Sequence, residues 1–423
     1  MTQQERAAPA LFTALLPALL PTLLGALLAG CGGGGDAGLP VPTLPAPAPQ
    51  QQTRVDLLAS SARGFESLAY RDGKAYLTQS NTPAAPSALL SAALPLQAGM
   101  RFGEAPLGPC ALPAAREGDP ARAPSLRMLG TTLWLFQPWY DSIAPGAAAE
   151  PALCALETGS SAFATRDAAL RACTGAYCST LWMSDLKQSG NVLYTNAGAG
   201  ANLLASNDRG ASWRVLLGQF DAMICTHQAF HVVGDRVLVG GECPLDMAYL
   251  RAYQLRADGI GLASPLPLAL TLPDLENRNV QFIDSVPGTQ RVFAGVEGGL
   301  LRSEDGGRTF TFVIREPVEG NQRYPYIGAF LALSKQPDTL VVGGFDKATG
   351  KPYLAWSADG GGKWTDISSL LPGYGHTAGH AADDGAVAEV TSVGEDPQGR
   401  IVVTVNEKTH AEGRLLLLTL VKP

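Results

Sequence analysis

The stretch SADGGGKW at residues 357–364 is the clearest indication of how this chain folds. Two near copies precede it, SEDGGRTF at 303–310 and SNDRGASW at 206–213, and all three share the frame Ser-x-Asp-x-Gly-x-x-aromatic. Glycine tolerates positive φ, and short Asp or Ser side chains accept hydrogen bonds from nearby backbone N–H groups. The frame therefore predicts a tight turn between two strands, with the aromatic residue opening the second strand.

A second pattern recurs more widely and consists of an apolar strand, a tight turn with Gly, Asp or Asn, and another strand. Its seven copies start 46–61 residues apart, at 69–78, 128–136, 186–195, 232–240, 286–295, 335–343 and 396–404. The Ser-x-Asp frame follows the third, fifth and sixth copies, and RADGIG at 256–261 is a weaker version after the fourth. Each unit of roughly 50 residues thus contains four strands, which is the repeat of a β-propeller blade.

We therefore predict an all-β fold, a seven-bladed β-propeller with four antiparallel strands per blade, and keep six blades as the fallback. The last unit ends with RLLLLTLV at 414–421 and lacks a fourth strand. TRVDLLA at 53–59 stands just before the first unit and can supply that strand. We expect this N-terminal strand to close the ring, because closure removes unpaired strand edges.

The N-terminal segment differs in composition from the rest of the chain. Residues 8–29 are an apolar run that ends in Leu28-Ala29-Gly30-Cys31 and resembles the lipobox of bacterial lipoprotein precursors. A transmembrane anchor is the alternative, but Pro17, Pro21 and the flanking glycines disfavour it. We expect residues 1–30 to be a signal peptide and Cys31 to carry the lipid.

The next segment, residues 31–53, is rich in Gly, Pro, Ala and Gln and predicts a flexible tether, so the propeller should occupy residues 54–423. Anchored by its lipid, the chain should be located at the bacterial cell envelope. Gly32, which follows the lipidated position, resembles the sorting pattern for retention in the outer membrane. We expect a monomer. The net charge of −7 and the lack of a basic run disfavour nucleic acid as a partner.

Six of the seven cysteines remain after Cys31, and an even number behind a secretion signal predicts disulfides. Cys225 and Cys243 lie symmetrically about the turn at Gly234, so they should face each other across two strands. Cys173 and Cys178 bracket a short loop, and Cys110 and Cys154 pair by elimination. Free, buried thiols are the alternative.

The Ser-x-Asp frames resemble Asp-boxes, the bacterial neuraminidase repeats found in sialidases, sortilin-type receptors and photosystem-assembly propeller proteins. The matching positions are Ser206, Asp208, Gly210, Trp213, Ser303, Asp305, Gly307, Phe310, Ser357, Asp359, Gly361 and Trp364. The resemblance implies a structural turn on the propeller face opposite the usual ligand site. Ligand contacts are then expected from the loops that join the second strand to the third and one unit to the next.

Those loops supply the candidate ligand face, chosen for its aromatic, basic, acidic and histidine side chains. Its members are Tyr140, Asp141, His227, Arg323, Tyr324, Tyr374, His376, His380, Asp383 and Asp384. Four of the five histidines form the pairs His227/His231 and His376/His380. Hydrogen-bonding or channel-lining histidines are the simpler interpretation. No helix is evident at the second pair, and strand spacing puts the first pair about 13 Å apart. We therefore predict neither a metal nor a cofactor.

We expect a binding or scaffold module whose partner is an envelope protein or a glycan. The alternative is a sialidase-like glycoside hydrolase, which needs three arginines, a tyrosine activated by a glutamate, and an acidic aspartate. The arginine motif Phe/Tyr-Arg-Ile-Pro of that family is missing from the sequence, and sialidases usually have six blades. No catalytic residue can be carried over by position, so we expect no enzymatic activity.

Overall fold

The computed structural model describes residues 52–117, 121–137, 152–171, 183–197, 202–218, 225–243, 249–276, 278–317, 325–347, 349–371, 388–407 and 412–421. Within these ranges the chain is built from strands, one short helix, α1 (Asp167–Arg171), and 3-10 turns at Gly108–Cys110 and Ser368–Leu370. No helix in the described part of the chain is long and apolar enough to cross a membrane.

The strands form seven antiparallel blades, so the predicted seven-bladed β-propeller is confirmed. From the innermost strand outward, blade one contains β2 (Phe65–Arg71), β3 (Lys74–Gln79), β4 (Ala88–Ala93) and β5 (Gly103–Ala105). Blade two contains β6 (Ser125–Leu129), β7 (Thr132–Phe136), β8 (Leu153–Leu156) and β9 (Ala164–Thr165). Blade three contains β10 (Leu186–Ser189), β11 (Val192–Ala197), β12 (Asn202–Ser206) and β13 (Arg214–Leu217).

The remaining blades follow the same order. Blade four contains β14 (Ala229–Val233), β15 (Arg236–Gly241) and β16 (Tyr249–Gln254). Blade five contains β17 (Val280–Ser285), β18 (Val292–Val296), β19 (Gly299–Ser303) and β20 (Thr311–Arg315). Blade six contains β21 (Pro325–Leu333), β22 (Gln336–Asp346), β23 (Pro352–Ser357) and β24 (Thr365–Asp366). Blade seven contains β25 (Ala388–Glu395), β26 (Ile401–Glu407), β27 (Gly413–Thr419) and β1 (Arg54–Ser61).

The outer edge of blade four is less regular than the others. An extended segment takes the place of its fourth strand, and the Leu268 N–H donates to the Ala252 carbonyl at 2.8 Å. The same segment continues to blade five, where Thr271 forms a parallel bridge with Thr309. This segment therefore covers the edge of β16 and joins two neighbouring blades.

The ring closes where the sequence predicts. β1 pairs antiparallel with β27, from Arg54 opposite Thr419 to Ser61 opposite Gly413. Side chains then join blade seven to blade one, because the Phe65 N–H donates to Asn406 Oδ1 at 2.6 Å. The two ends of the described propeller are thus held within one sheet.

Seven apolar clusters form the core, and each lies between two neighbouring blades. Between blades five and six, for example, Phe293 packs with Leu340 and Tyr353. The cluster between blades seven and one contains Leu58, Val402 and Phe65. Both faces of every sheet are therefore covered, which explains why β11 and β18 are buried along their whole length.

The three turns with the Ser-x-Asp frame have the same hydrogen bonds. The Ser hydroxyl donates to the Asp carboxylate at 2.7–2.8 Å and accepts the N–H of the glycine shared by the three frames at 2.8–2.9 Å. The Asp carboxylate in turn accepts the N–H groups that follow, as Asp305 does from Arg308 and Thr309. The Ser hydroxyl and the Asp carboxylate therefore form their hydrogen bonds within the turn itself.

Glycine is required in these turns for two reasons. Gly307 and Gly361 have φ angles of 81° and 88°, which L side chains rarely adopt. A Cβ atom on Gly307 would also lie 2.6 Å from Leu238 of blade four, and one on Gly361 would lie 2.8 Å from Phe293 of blade five. The turns therefore pack directly against the preceding blade.

Two of the three predicted disulfides form within the described residues. Cys225 and Cys243 are joined next to β14 and β15, with their Cα atoms 4.1 Å apart. Cys110 and Cys154 link the segment after blade one to the third strand of blade two. Cys173 and Cys178 lie outside the described residues, as does Cys31.

We predict that Asp305→Ala lowers the free energy of unfolding by about 1–2 kcal/mol, because two backbone N–H groups lose their acceptor. Burial alone raises the pKa of Asp305, but hydrogen bonds from Thr309 and Ser303 outweigh it and lower the pKa to about 2. The stabilisation should therefore be present above the ordinary value of 3.8 and disappear as the pH falls toward 2. Chemical denaturation at several pH values measures this.

The matched control is Asp258→Ala in the weaker turn of blade four, where the carboxylate accepts one backbone N–H, that of Ile260, at 3.1 Å. Its effect should be smaller. Equal losses for the two variants would contradict the role assigned to the paired acceptors of Asp305.

Candidate functional site

The innermost strands of the seven blades surround a central channel. Each inner strand contacts the next one around the ring, and the last, β25, contacts β2. They leave a cavity of about 500 Å³. Its wall contains Glu66, Ser67, Ser125, Arg127, Leu129, Ser184, Asp185, Leu186, Lys187, Gln188, His231, Phe282, Asp284, Gly328, Ala329, Phe330, Thr391, Ser392 and Val393. We call this cavity the channel.

The period of two along a strand explains which side chains reach the channel. In β17, Phe282 and Asp284 line the channel, whereas Ile283 between them is fully buried in the core between blades four and five. In β2, Glu66 lies between the buried residues Phe65 and Ser67. Charged residues at inward positions of the inner strands, such as Glu66 and Asp284, therefore lie on the channel wall.

An ion-pair network runs across blades two, three and five. Arg127 Nε lies 3.0 Å from Asp185 Oδ1. Lys187 Nζ lies 3.7 Å from Asp185 Oδ2 and 3.5 Å from Asp284 Oδ2, and it donates a 2.6 Å hydrogen bond to the Ile283 carbonyl. These charges balance one another within the protein, so the network holds the inner strands in place.

His231 joins this network as a neutral side chain. Its Nε2 lies 2.8 Å from Ser285 Oγ, and its Nδ1 lies 3.5 Å from Asp284 Oδ1. Burial lowers the pKa of His231 to about 4, although Asp284 opposes the shift. For Asp284, burial alone raises the pKa, but Lys187 and His231 outweigh it and hold the pKa below its ordinary value. At neutral pH, Asp284 is ionised and His231 is not.

Glu66 differs from the other charged residues of the channel. Among the described residues its carboxyl makes neither a hydrogen bond nor an ion pair. Burial, reinforced by the nearby carboxyl of Glu389, raises the pKa of Glu66 to about 8, and Arg127 only partly offsets this. The fold therefore holds an acid in the channel that is largely protonated at neutral pH.

The wall at blades five and six is aromatic. The rings of Phe282 and Phe330 stack with their centroids 5.8 Å apart, and Phe330 also contacts Phe293 at 5.1 Å. Gly328 and Ala329 lie beside Phe330 on β21 and add no bulk. The charged residues of the channel thus come from blades one, two, three and five, and its apolar part lies at blades five and six.

Of the ten residues predicted for the ligand face, the described part of the chain contains only His227. Tyr140, Asp141, Arg323, Tyr324, Tyr374, His376, His380, Asp383 and Asp384 lie outside the described residues. His227 itself is fully buried, and its ring packs edge-on against Tyr249 at 5.7 Å. The segment before β14 thus turns this side chain, predicted for the candidate ligand face, into the core between blades three and four.

The sequence analysis missed the charged residues of the channel, namely Glu66, Arg127, Asp185, Lys187 and Asp284. The signal was present in the innermost strands, where a charged residue stands among apolar ones, as Glu66 does in FESLAYR at 65–71 and Arg127 in SLRML at 125–129. His231, considered in sequence as a possible channel-lining histidine, does line the channel.

The composition of the channel bears on catalysis and metal binding. Its described wall contains one arginine, Arg127, and no tyrosine, so these residues do not form the three-arginine site of a sialidase. In the described ranges, no three His, Cys, Asp or Glu side chains are grouped as metal ligands.

Comparisons with known proteins show similarity in fold. No protein-family profile matches the chain, and no curated protein sequence does. A structure of YCF48 bound to D1 peptide is similar with a TM-score of 0.51 and 11% identity, over 89% of this chain and 97% of that one. YCF48 from Cyanidioschyzon merolae gives a TM-score of 0.50 and 10% identity, over 86% and 98% of the two chains.

A third similar structure is the extracellular domain of the hybrid two component system BT3049 from B. thetaiotaomicron. It gives a TM-score of 0.52 and 10% identity, over 88% of this chain and 42% of that one. Because the identities are so low, these similarities establish a shared β-propeller fold and nothing about activity or partners.

We predict that Glu66→Gln stabilises the protein at alkaline pH. The folded-state pKa of about 8 exceeds the ordinary value of 4.5, so the folded protein loses stability as the pH rises between these values. The neutral glutamine removes this loss. We expect the free energy of unfolding to rise by on the order of 2 kcal/mol near pH 9 and by almost nothing near pH 4. This is less than the full pKa shift would give, because Glu66 is partly exposed to solvent.

Chemical denaturation of both proteins across this pH range measures the effect. Glu104→Gln is the matched control, since Glu104 is an exposed residue of the outer strand of the same blade. A gain that does not depend on pH would contradict the environment assigned to Glu66.

Proposed function

We propose that this chain is an exported, lipid-anchored β-propeller that acts as a binding or scaffold module at the bacterial cell envelope. Its partner is a segment of an envelope protein that contacts the channel and the loops around its mouth. The observation that carries the proposal is the channel, whose paired charges, unpaired Glu66 and aromatic patch form a preorganised recognition surface.

The internal pairing of the channel charges favours binding over catalysis. Arg127, Asp185, Lys187 and Asp284 neutralise one another, and His231 is neutral at physiological pH. Such a network provides a rigid wall of hydrogen-bonding groups at little reorganisation cost on binding. A structure of the same fold, YCF48 bound to D1 peptide, supports a peptide-like partner for this propeller.

The N-terminal sequence and the disulfides support the location. The apolar run that ends at Cys31 predicts lipidation, and Gly32 after it favours the outer membrane. The disulfides Cys110–Cys154 and Cys225–Cys243 suit an oxidising compartment. We propose that the propeller is a monomer displayed on this anchor.

We predict that Gly328→Trp abolishes partner binding without unfolding the protein. Gly328 is exposed on the channel wall, and a Cβ atom there meets no atom within 4 Å, so the indole can project into the channel. Quantitative mass spectrometry of envelope proteins that co-purify with each variant measures binding. The partner should decrease at least about tenfold.

Gly103→Trp is the matched control. Gly103 is also exposed, also lacks atoms within 4 Å of an added Cβ, and lies on the outer strand of blade one. It should retain the partner. Equal recovery of the partner by both tryptophan variants would place the binding surface away from the channel.

We predict that Cys31→Ala releases the chain from the membrane, because the lipid thioether cannot form. Fractionation of cells that produce the wild type and the variant measures the membrane-bound share. A variant that stays fully in the membrane fraction would contradict lipid anchoring.

A further inference from the structure

We propose that the channel binds a basic side chain of the partner, the guanidinium of an arginine or the ammonium of a lysine, and that Glu66 is its counter-ion. This inference rests on the proposed function, since it names the group that the channel recognises. The proposed ligand is thus an organic cation that belongs to a protein segment.

The first argument is that Glu66 has no partner within the described protein, whereas its charged neighbours do. Arg127 pairs with Asp185, and Lys187 lies between Asp185 and Asp284. A carboxyl group enclosed in a channel without a hydrogen bond is costly, and folds keep such groups where they have a task. An incoming cation would supply the missing interaction.

The second argument is the position of a second carboxyl. Glu66 is the second residue of β2, and Glu389 is the second residue of β25 in the adjacent blade. The two carboxyls repel each other, since Glu389 contributes to the raised pKa of Glu66. A cation that approaches both acids removes this repulsion and favours ionisation of Glu66. Arg127, on the neighbouring blade two, limits the gain because its positive charge opposes an incoming cation.

The third argument is the location along the channel. Inner strands run from the loop face toward the hairpin turns, so the second residue of an inner strand lies near the loop face. The Ser-x-Asp turns pack near the hairpin turns at the other face. In blade five, for example, the N–H of Gly306 donates to the carbonyl of Gln290 in the hairpin turn at 2.9 Å. Glu66 and Glu389 are therefore reached from the face where the partner is proposed to dock.

The fourth argument is the size and lining of the channel. A cavity of about 500 Å³ is much larger than a bare ion and accommodates a long side chain. Phe330 and Val393, on blades six and seven, provide apolar surface for the methylene stem of lysine or arginine.

The experiment uses the mature protein and three short capped peptides, N-trifluoroacetyl-Gly-X-Gly-amide, with X being Arg, Lys or Gln. Fluorine NMR titration measures each dissociation constant near pH 6 and near pH 9. We expect the Arg and Lys peptides to bind at least about tenfold more tightly than the Gln peptide at the higher pH. Their affinity should fall as the pH decreases through about 8, because Glu66 must then lose a proton to pair with the cation.

Variants separate this inference from the proposed function. Glu66→Gln should remove the preference for basic peptides and its pH dependence, whereas Glu104→Gln on the exposed outer strand should retain both. Gly328→Trp should abolish binding of all peptides that enter the channel. The cation inference alone is overturned if the preference for basic peptides persists in Glu66→Gln. It is likewise overturned if the wild type binds the Gln peptide as tightly as the Arg peptide. Binding that is unchanged in Gly328→Trp overturns the channel as the binding site.

Discussion

The structure depends on the burial of apolar surface between neighbouring blades. A blade is a thin sheet with two apolar faces, and each face is covered only when another blade lies against it. Seven clusters satisfy this requirement around the ring, and the one between blades seven and one requires the chain ends to meet. The pairing of β1 with β27 supplies the missing strand and so completes both the ring and the cluster between blades seven and one.

The channel is a consequence of this closure. Around the axis, the inner strands face one another across a cavity, so their inward side chains have no apolar surface to cover them. Charged residues are tolerated there because they pair, as Lys187 does with Asp185 and Asp284. Glu66 is the exception among the described charged residues of the wall, and it keeps a proton instead of a partner. The features that suit the channel to recognition therefore arise from the geometry that closes the ring.

Local patterns carried most of the predictions that succeeded. The seven hairpins and the Cys225–Cys243 disulfide depend on residues close in sequence or symmetric about a turn. The closing strand, whose partner lies at the other end of the chain, followed from counting the strands of each repeat. The fourth strand of blade four was harder, because its edge is covered by an irregular segment around Leu268. The inward position of His227 was not evident in the sequence, because the burial of a loop residue depends on contacts distant along the chain, in this case with Tyr249 of β16.

The sequence by itself determined the class of fold, the number of blades, the closure and the turns, since these follow from period-two patterns and from glycine and aspartate at fixed spacing. The tertiary structure decided which side chains meet at the axis. Glu66 and Asp284 are separated by more than two hundred residues in sequence, and only the curvature of the closed ring brings them into one channel. Their charge states likewise depend on enclosure and on neighbours from other blades, which local sequence does not encode.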